Sequence, residues 1–247
     1  MLAFASTDVG MIRSTNQDYL FASSQSVGSL ENFYVVADGM GGHKAGDYAS
    51  RFLVTQLVDY IKRAEPESQI SLLQHGIQDI NRKLYTLSVK NEELKGMGTT
   101  LVAATVEEDI LHVANVGDSR LYLIRNGITQ ITRDHSYVEE LVAKGKLERG
   151  SEEYFSKKNI ITRAVGAREQ VEVDFFEVTL RPGDRILLCS DGLTNMLEDE
   201  EIYRIISSGD SLETQVEQLI HEANQNGGRD NISVVLAVWP GNEVIPC

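Results

Sequence analysis

Between Thr99 and Ile131 the chain places four apolar, β-branched segments in succession, with no helical pattern between any two of them. They are Thr99–Val106, Ile110–Val116, Leu121–Ile124 and Ile128–Ile131. Parallel neighbours need a crossover of a dozen or more residues, usually a helix, so this part of the chain must build antiparallel sheet. Arg125-Asn126-Gly127 between the last two is a short Asn-Gly hairpin signal. Upstream, Ala49, Phe52, Leu53, Leu57, Tyr60 and Ile61 follow helical spacing, and Pro66 closes that helix. Leu73, Ile77, Ile80, Leu84 and Leu87 mark a second helix. Downstream, strand patterns at Val171–Val178, Arg185–Cys189 and Ile232–Trp239 bracket two more helices, Asp199–Ile206 and Leu212–Ala223. Each helix is apolar along one stripe, which puts it on a sheet rather than within one. The order predicts an α+β fold in layers, with helix pairs outside antiparallel sheet. Residues from about 134 to 163 are polar, with a short helical pattern from Val138 to Lys144, and read as an excursion over a surface. No repeat, low-complexity tract or linker divides the 247 residues, so one domain spanning 1–247 is expected.

Composition narrows the function classes. The formal net charge of -14 argues against nucleic-acid and anionic-membrane partners, which need basic surface. It leaves room for a phosphorylated substrate if metal ions supply the local positive charge. No apolar run approaches the length of a membrane span, and Met1-Leu-Ala-Phe-Ala-Ser6 lacks the features of a signal peptide. Cys189 and Cys247 are the two cysteines, so no disulfide framework is implied and a reducing, cytoplasmic setting is expected.

One local pattern recurs. Phe33-Tyr-Val-Val-Ala-Asp38-Gly39-Met-Gly-Gly-His43 reads as a buried strand ending at an aspartate, then a glycine loop and a helix. Arg185-Ile-Leu-Leu-Cys189-Ser-Asp191-Gly192 repeats it, Leu111-His-Val-Ala-Asn-Val116-Gly117-Asp118 varies it, and Gly227-Gly228-Arg229-Asp230-Asn231 inverts it ahead of a strand. Four aspartates thus stand where a core strand meets a loop, three of them beside glycine. Oxygen-only clusters suit Mg²⁺ or Mn²⁺, and neither a zinc spacing nor an Asp-rich calcium loop is present. Each aspartate taken alone also fits a solvated turn, and spacing leaves both readings open. Gly39-Met-Gly41-Gly-His-Lys44 follows a strand, as a dinucleotide fingerprint would. However, Lys44 holds the third glycine position and antiparallel strands follow, and no Gly-Lys-Ser/Thr ending supports a P-loop.

Taken together, Arg13-Ser-Thr-Asn16-Gln17-Asp18, Val36-Ala-Asp38-Gly39-Met-Gly41-Gly42-His43, Gly98-Thr99-Thr100, Asn115-Val-Gly117-Asp118-Ser119-Arg120, Asp134-His135-Ser136, Cys189-Ser-Asp191-Gly192 and Gly228-Arg-Asp230-Asn231 carry a family likeness. In this order and over nearly the whole chain, they resemble the metal-dependent protein serine/threonine phosphatases (type 2C) in their bacterial form. The resemblance implies an α-β-β-α sandwich of two antiparallel sheets, each covered by a helix pair, with the 134–163 segment as a flap beside the active site. It implies two Mn²⁺ or Mg²⁺ ions between the sheets. Asp38 would bridge both, the Gly39 carbonyl would bind one, and Asp191 and Asp230 the other. Asp18 would hold metal-bound waters, and Asp118 with Asp191 would take a third, weaker ion. Arg13 would grip the substrate phosphate. A water shared by two cations becomes hydroxide near neutral pH and would attack phosphorus in line. His43 is the candidate acid for the leaving alkoxide, although here Met40, Gly41 and Gly42 separate it from Asp-Gly, where many eukaryotic relatives have none. His112, inside a strand, is expected to be structural, and His135 to organise its loop.

The implied substrates are phosphoserine and phosphothreonine proteins, with a partner serine/threonine kinase and a monomeric enzyme. A non-catalytic module of the same fold and a hydrolase of small phosphate esters are the alternatives. The intact acidic positions favour the active phosphatase.

Overall fold

A computed structural model describes residues 1–42 and 45–241. The first sheet orders its antiparallel strands as β1 (Leu2–Asp8), β11 (Ile232–Val238), β10 (Arg185–Cys189), β7 (Arg120–Ile124) and β8 (Ile128–Gln130). The second runs β2 (Asp18–Ser23), β3 (Phe33–Met40), β5 (Leu101–Glu107), β6 (Ile110–Val116) and β9 (Asp174–Thr179), with β4 (Gly98–Thr99) on the end of β3. Helices α1 (Ala45–Arg63) and α2 (Gln69–Lys90) cover the second sheet, and α5 (Asp191–Thr194), α6 (Asp199–Ile206) and α7 (Leu212–Gln225) cover the first.

Three apolar layers result, and the alternation of side chains along each strand makes them. Phe33, Val35 and Ala37 of β3 face α1 and α2. Tyr34 and Val36 face the other sheet, in one layer with Ile186, Leu188, Val235 and Ala237. Leu187, Val234 and Leu236 face α6 and α7. Because both faces of the central strands are buried, those strands read as continuous apolar runs instead of alternating ones. The layers with helices outside that the element order predicts, and the α-β-β-α sandwich that the family resemblance implies, are therefore what the chain forms. Among the described residues, no helix is long and apolar enough to cross a membrane.

Three local differences from the sequence reading bear on the site. Strand β3 does not stop at Asp38: Gly39 and Met40 continue it, paired with Thr99 and Gly98. The expected Thr99–Val106 strand is broken at Thr100, whose hydroxyl accepts the Asp38 N–H at 2.9 Å. The expected Val171–Val178 strand begins at Asp174, opposite Asn115 near the end of β6, where the ladder runs out of partner. Helix α5 and α4 (Glu152–Lys157) had no separate signal, since four and six residues are too few to show a helical period.

The segment about 134–163 carries α3 (Tyr137–Ala143) and α4. Its base is closed by Tyr137 N–H on the Ile160 carbonyl (2.8 Å) and Thr162 N–H on the His135 carbonyl (2.7 Å). Its two helices are joined by the Tyr154 hydroxyl donating to Glu139 (2.6 Å) and by an Arg149–Glu139 ion pair.

Candidate metal centre

The two sheets bring the ends of five chain segments together. Asp18 opens β2 and lies in register opposite Asp38 on β3. Asp191 opens α5 just after β10, Asp230 precedes β11, and Asp118 follows β6. Asp18 and Asp118 are buried, while Asp38, Asp191 and Asp230 are half-buried. All five expected acidic positions thus converge, although they lie as far apart in sequence as residues 18 and 230.

Most of the supporting contacts come from neighbours that carry no charge. The Ser190 hydroxyl donates to Asp18 Oδ2 at 2.7 Å. Asn195 Nδ2 donates to Asp191 Oδ2 at 2.8 Å from one turn along α5. The Asp38 carbonyl accepts the Thr100 N–H (2.8 Å) and the Thr99 hydroxyl (2.9 Å), which accounts for the Gly98-Thr99-Thr100 motif. Asn231 ties the opposite side: its Oδ1 accepts the Gln17 N–H (2.8 Å), and its Nδ2 donates to the carbonyls of Val9 (2.9 Å) and Thr15 (3.0 Å). Beyond Asp118, Gly117 N–H donates to His135 Nδ1 at 3.1 Å while His135 Nε2 faces Asp174 Oδ2 at 3.2 Å. Burial lowers the His135 pKa, in keeping with a ring whose Nδ1 accepts that N–H. Arg120 forks onto Asp134, with Nη2 at 2.7 Å, and so joins two further motifs.

The electrostatics are those of an acidic cluster lacking enough counter-charge. Burial, then Asp18, Asp191, Asp118 and Asp230, push the Asp38 carboxyl well above the carboxylate range. Burial lifts Asp18 to about 7, against hydrogen bonds from Ser190 and Ser233. Burial followed by Asp191 lifts Asp118 to about 8, and burial followed by Asp230 lifts Asp191 to about 6. Asp18 Oδ1 and Asp191 Oδ1 are buried without a hydrogen-bond partner. An unpaired buried carboxylate is costly, and a hard divalent cation is the ligand that an all-oxygen set of this kind suits. Among the described residues, no three acidic, histidine or cysteine side chains close into a ready-made cage. Of the five, Asp118 and Asp191 line a cleft. Mg²⁺, which keeps several waters and takes one or two carboxylates, is compatible with such an arrangement.

Arg13, half-exposed, donates to Asp230 Oδ2 at 2.8 Å. Gly39 is pressed against the start of α1: a Cβ there would stand 2.1 Å from the Gly46 carbonyl oxygen. Gly39→Ala is therefore expected to destabilise the fold by about 1–3 kcal/mol or more, as overpacking does, and to displace Asp38. A urea midpoint unchanged from the parent protein would contradict this. His43, the expected acid, lies outside the described residues.

Beside these residues, the flap and the first sheet enclose a cleft of about 790 Å³ lined by Asp118, Asp134, Tyr154, Lys158, Asp191 and Glu198, among others. Sequence reasoning does not reach the supporting roles of Ser190, Thr100, Asn195 and Asn231. Asn195 stands four residues after Asp191, a spacing that meets on a helix, so a signal exists once α5 is known. Ser190 and Asn231 have none, because their partners are 172 and 214 residues away.

Comparison with known proteins agrees with this geometry. The protein phosphatase 2C family profile matches residues 13–237. The serine/threonine phosphatase stp of Listeria monocytogenes is 42% identical over 240 residues, 93% of this chain and 92% of the relative. The serine/threonine phosphatase Stp1 of Staphylococcus aureus superposes with a TM-score of 0.88 at 39% identity, covering 97% of this chain and 95% of that one. The catalytic domain of the serine/threonine protein phosphatase PstP, solved in complex with two manganese ions, superposes with a TM-score of 0.84 at 32% identity, covering 96% and 97%.

Proposed function

Because this chain belongs to the protein phosphatase 2C family and is a protein serine/threonine phosphatase, we propose that it hydrolyses phosphoserine and phosphothreonine at a centre of two Mn²⁺ or Mg²⁺ ions. The observation that carries the reading is the convergence of Asp18, Asp38, Asp118, Asp191 and Asp230, with buried oxygens left unpartnered and carboxyls driven up in pKa. The manganese-bound relative supports the same metal dependence here.

In this reading Asp38, the Gly39 carbonyl, Asp191 and Asp230 would hold the two ions. Asp118 with Asp191 would take a third, weaker ion. When bound, the cations supply an acidified water as nucleophile and neutralise charge on the phosphoryl oxygens. Asp18, anchored through Ser190, orients water. Arg13 turns its fork from Asp230 to the incoming phosphate, where two parallel N–H donors match two oxygens. His43 gives the leaving alkoxide its proton, and the flap at about 134–163 gates the cleft. The whole chain acts as one monomeric domain in the cytoplasm, against a serine/threonine kinase.

The test is manganese-dependent phosphate release from a phosphothreonine peptide, compared with free phosphoserine. Faster release from the peptide is expected, and no metal-dependent release from any phosphopeptide would sink the proposal. Arg13→Lys replaces the fork with a point charge. It is expected to raise the KM for the peptide about tenfold, the equivalent of losing about 1.4 kcal/mol of binding, with manganese affinity by calorimetry unaltered. An unchanged KM would remove Arg13 from the phosphate.

A further inference from the structure

The loop before Arg13 is held in place by its backbone. Gly10 N–H donates to Asp8 Oδ1 (2.8 Å), and the N–H groups of Met11 and Ile12 both donate to the Gly228 carbonyl (2.7 and 3.3 Å). Gly10 has a φ of +80°, and a Cβ there would lie 2.2 Å from the Asp230 carbonyl oxygen. The loop is thus laid flush against the segment that bears Asp230, and Asn231 fastens its two ends through Val9 and Thr15. None of these bonds uses the side chains of Met11 and Ile12. Those residues are 67% and 71% exposed, and neither joins any of the three apolar cores.

Scattered exposed apolar residues need no explanation. An adjacent pair, on a pinned loop and immediately before the residue assigned to the phosphate, does. The chain's net charge of -14 repels acidic phosphoprotein segments at long range. Contacts that carry no charge are unaffected by that repulsion. Apolar surface next to Arg13 is what this rim offers.

We propose that Met11 and Ile12 form an apolar step that receives an aliphatic or aromatic side chain flanking the phosphorylated residue, and so select among phosphoprotein substrates. The inference rests on the phosphatase reading and names the substrate class within it. It is tested with Met11→Ser/Ile12→Ser, manganese, and three substrates: para-nitrophenyl phosphate, a phosphothreonine peptide flanked by leucines, and the same peptide flanked by serines. The expected result is a fall of about tenfold in kcat/KM on the leucine peptide, carried by KM, equivalent to about 1.4 kcal/mol of lost contact. Rates on the other two substrates stay at the parent level, and Met11→Leu/Ile12→Val keeps the leucine preference. Equal losses on both peptides, or no loss on the leucine peptide, overturn the inference. If the double serine variant does not fold, Met11→Gln alone is read in the same way. A parent protein active on all three substrates with no preference for leucine sinks this inference alone, whereas one inactive on all three takes the phosphatase reading with it.

Discussion

Asp38→Asn is expected to remove phosphate release from a phosphothreonine peptide by on the order of a thousandfold or more, and at the same time to raise the thermal midpoint of the metal-free protein. Metal-assisted charge stabilisation is worth several kcal/mol, and about 1.36 kcal/mol corresponds to each factor of ten in rate. A carboxamide is nearly the same size as the carboxylate but has lost the charge that would bridge two cations. In the metal-free fold that same charge is a liability. Burial opposes ionisation of Asp38, and Asp18, Asp191, Asp118 and Asp230 all add to that opposition. Activity and stability should therefore move in opposite directions. An aspartate whose carboxylate served only to hold the fold together would lose both, whereas the Thr99 and Thr100 contacts are to the Asp38 main chain and survive the substitution. Steady-state kinetics and calorimetric unfolding measure the two arms. Residual activity within about tenfold of the parent, or a lowered midpoint, would refute the bridging role.

The second large effect is on pH and metal removal. A carboxyl whose folded pKa is raised contributes stability that is fully present below its unfolded pKa, near about 4, and is lost as pH climbs through the folded value. Here those values are about 6 for Asp191, about 7 for Asp18 and about 8 for Asp118. The metal-free protein should consequently lose stability steadily from about pH 4 to about pH 8. Moving one buried carboxyl from about 4 to about 7 corresponds to on the order of 4 kcal/mol at about 1.36 kcal/mol per pH unit. For a chain of this length that is a fall on the order of 10 °C in midpoint. In the proposed two-metal reading manganese would bind the ionised carboxylates of the native state, so its stabilisation should grow with pH and cancel the slope. Midpoints measured with and without manganese across this range decide the matter. A flat metal-free profile, or a slope that Asp38→Asn leaves unchanged, would contradict the electrostatic account of the cluster.

The helices that cover the sheets were readable because amphipathic periodicity is a local signal. Leu73, Ile77, Ile80 and Leu84 mark the face of α2 that is buried in the apolar layer. The strand ends were less readable. Whether β3 stops at Asp38 or runs on to Met40 depends on Gly98 and Thr99, which lie far along the chain and offer the partner backbone. The break at Thr100 is of the same kind, since its hydroxyl replaces a backbone acceptor for the Asp38 N–H. In the site, Asp38, Asp118, Asp191 and Asp230 could be nominated from their position at the mouths of apolar runs, whereas Asp18 came only from the family likeness. Their supporters could not, because a serine or asparagine looks alike in a solvated turn and at hydrogen-bond distance from a buried carboxylate.

From the sequence alone, then, come the layer order, the antiparallel pairing and the set of aspartates at strand ends, all of which follow from periodicity and turn chemistry over short spans. Only the tertiary structure decides that those aspartates face one another. Sheet closure brings Asp18 and Asp38 into register and sets Ser190 against Asp18, and burial in common is what turns separate carboxylates into one strained cluster. Asp38 owes its position to its own strand, but its chemistry to residues that the chain reaches only by folding.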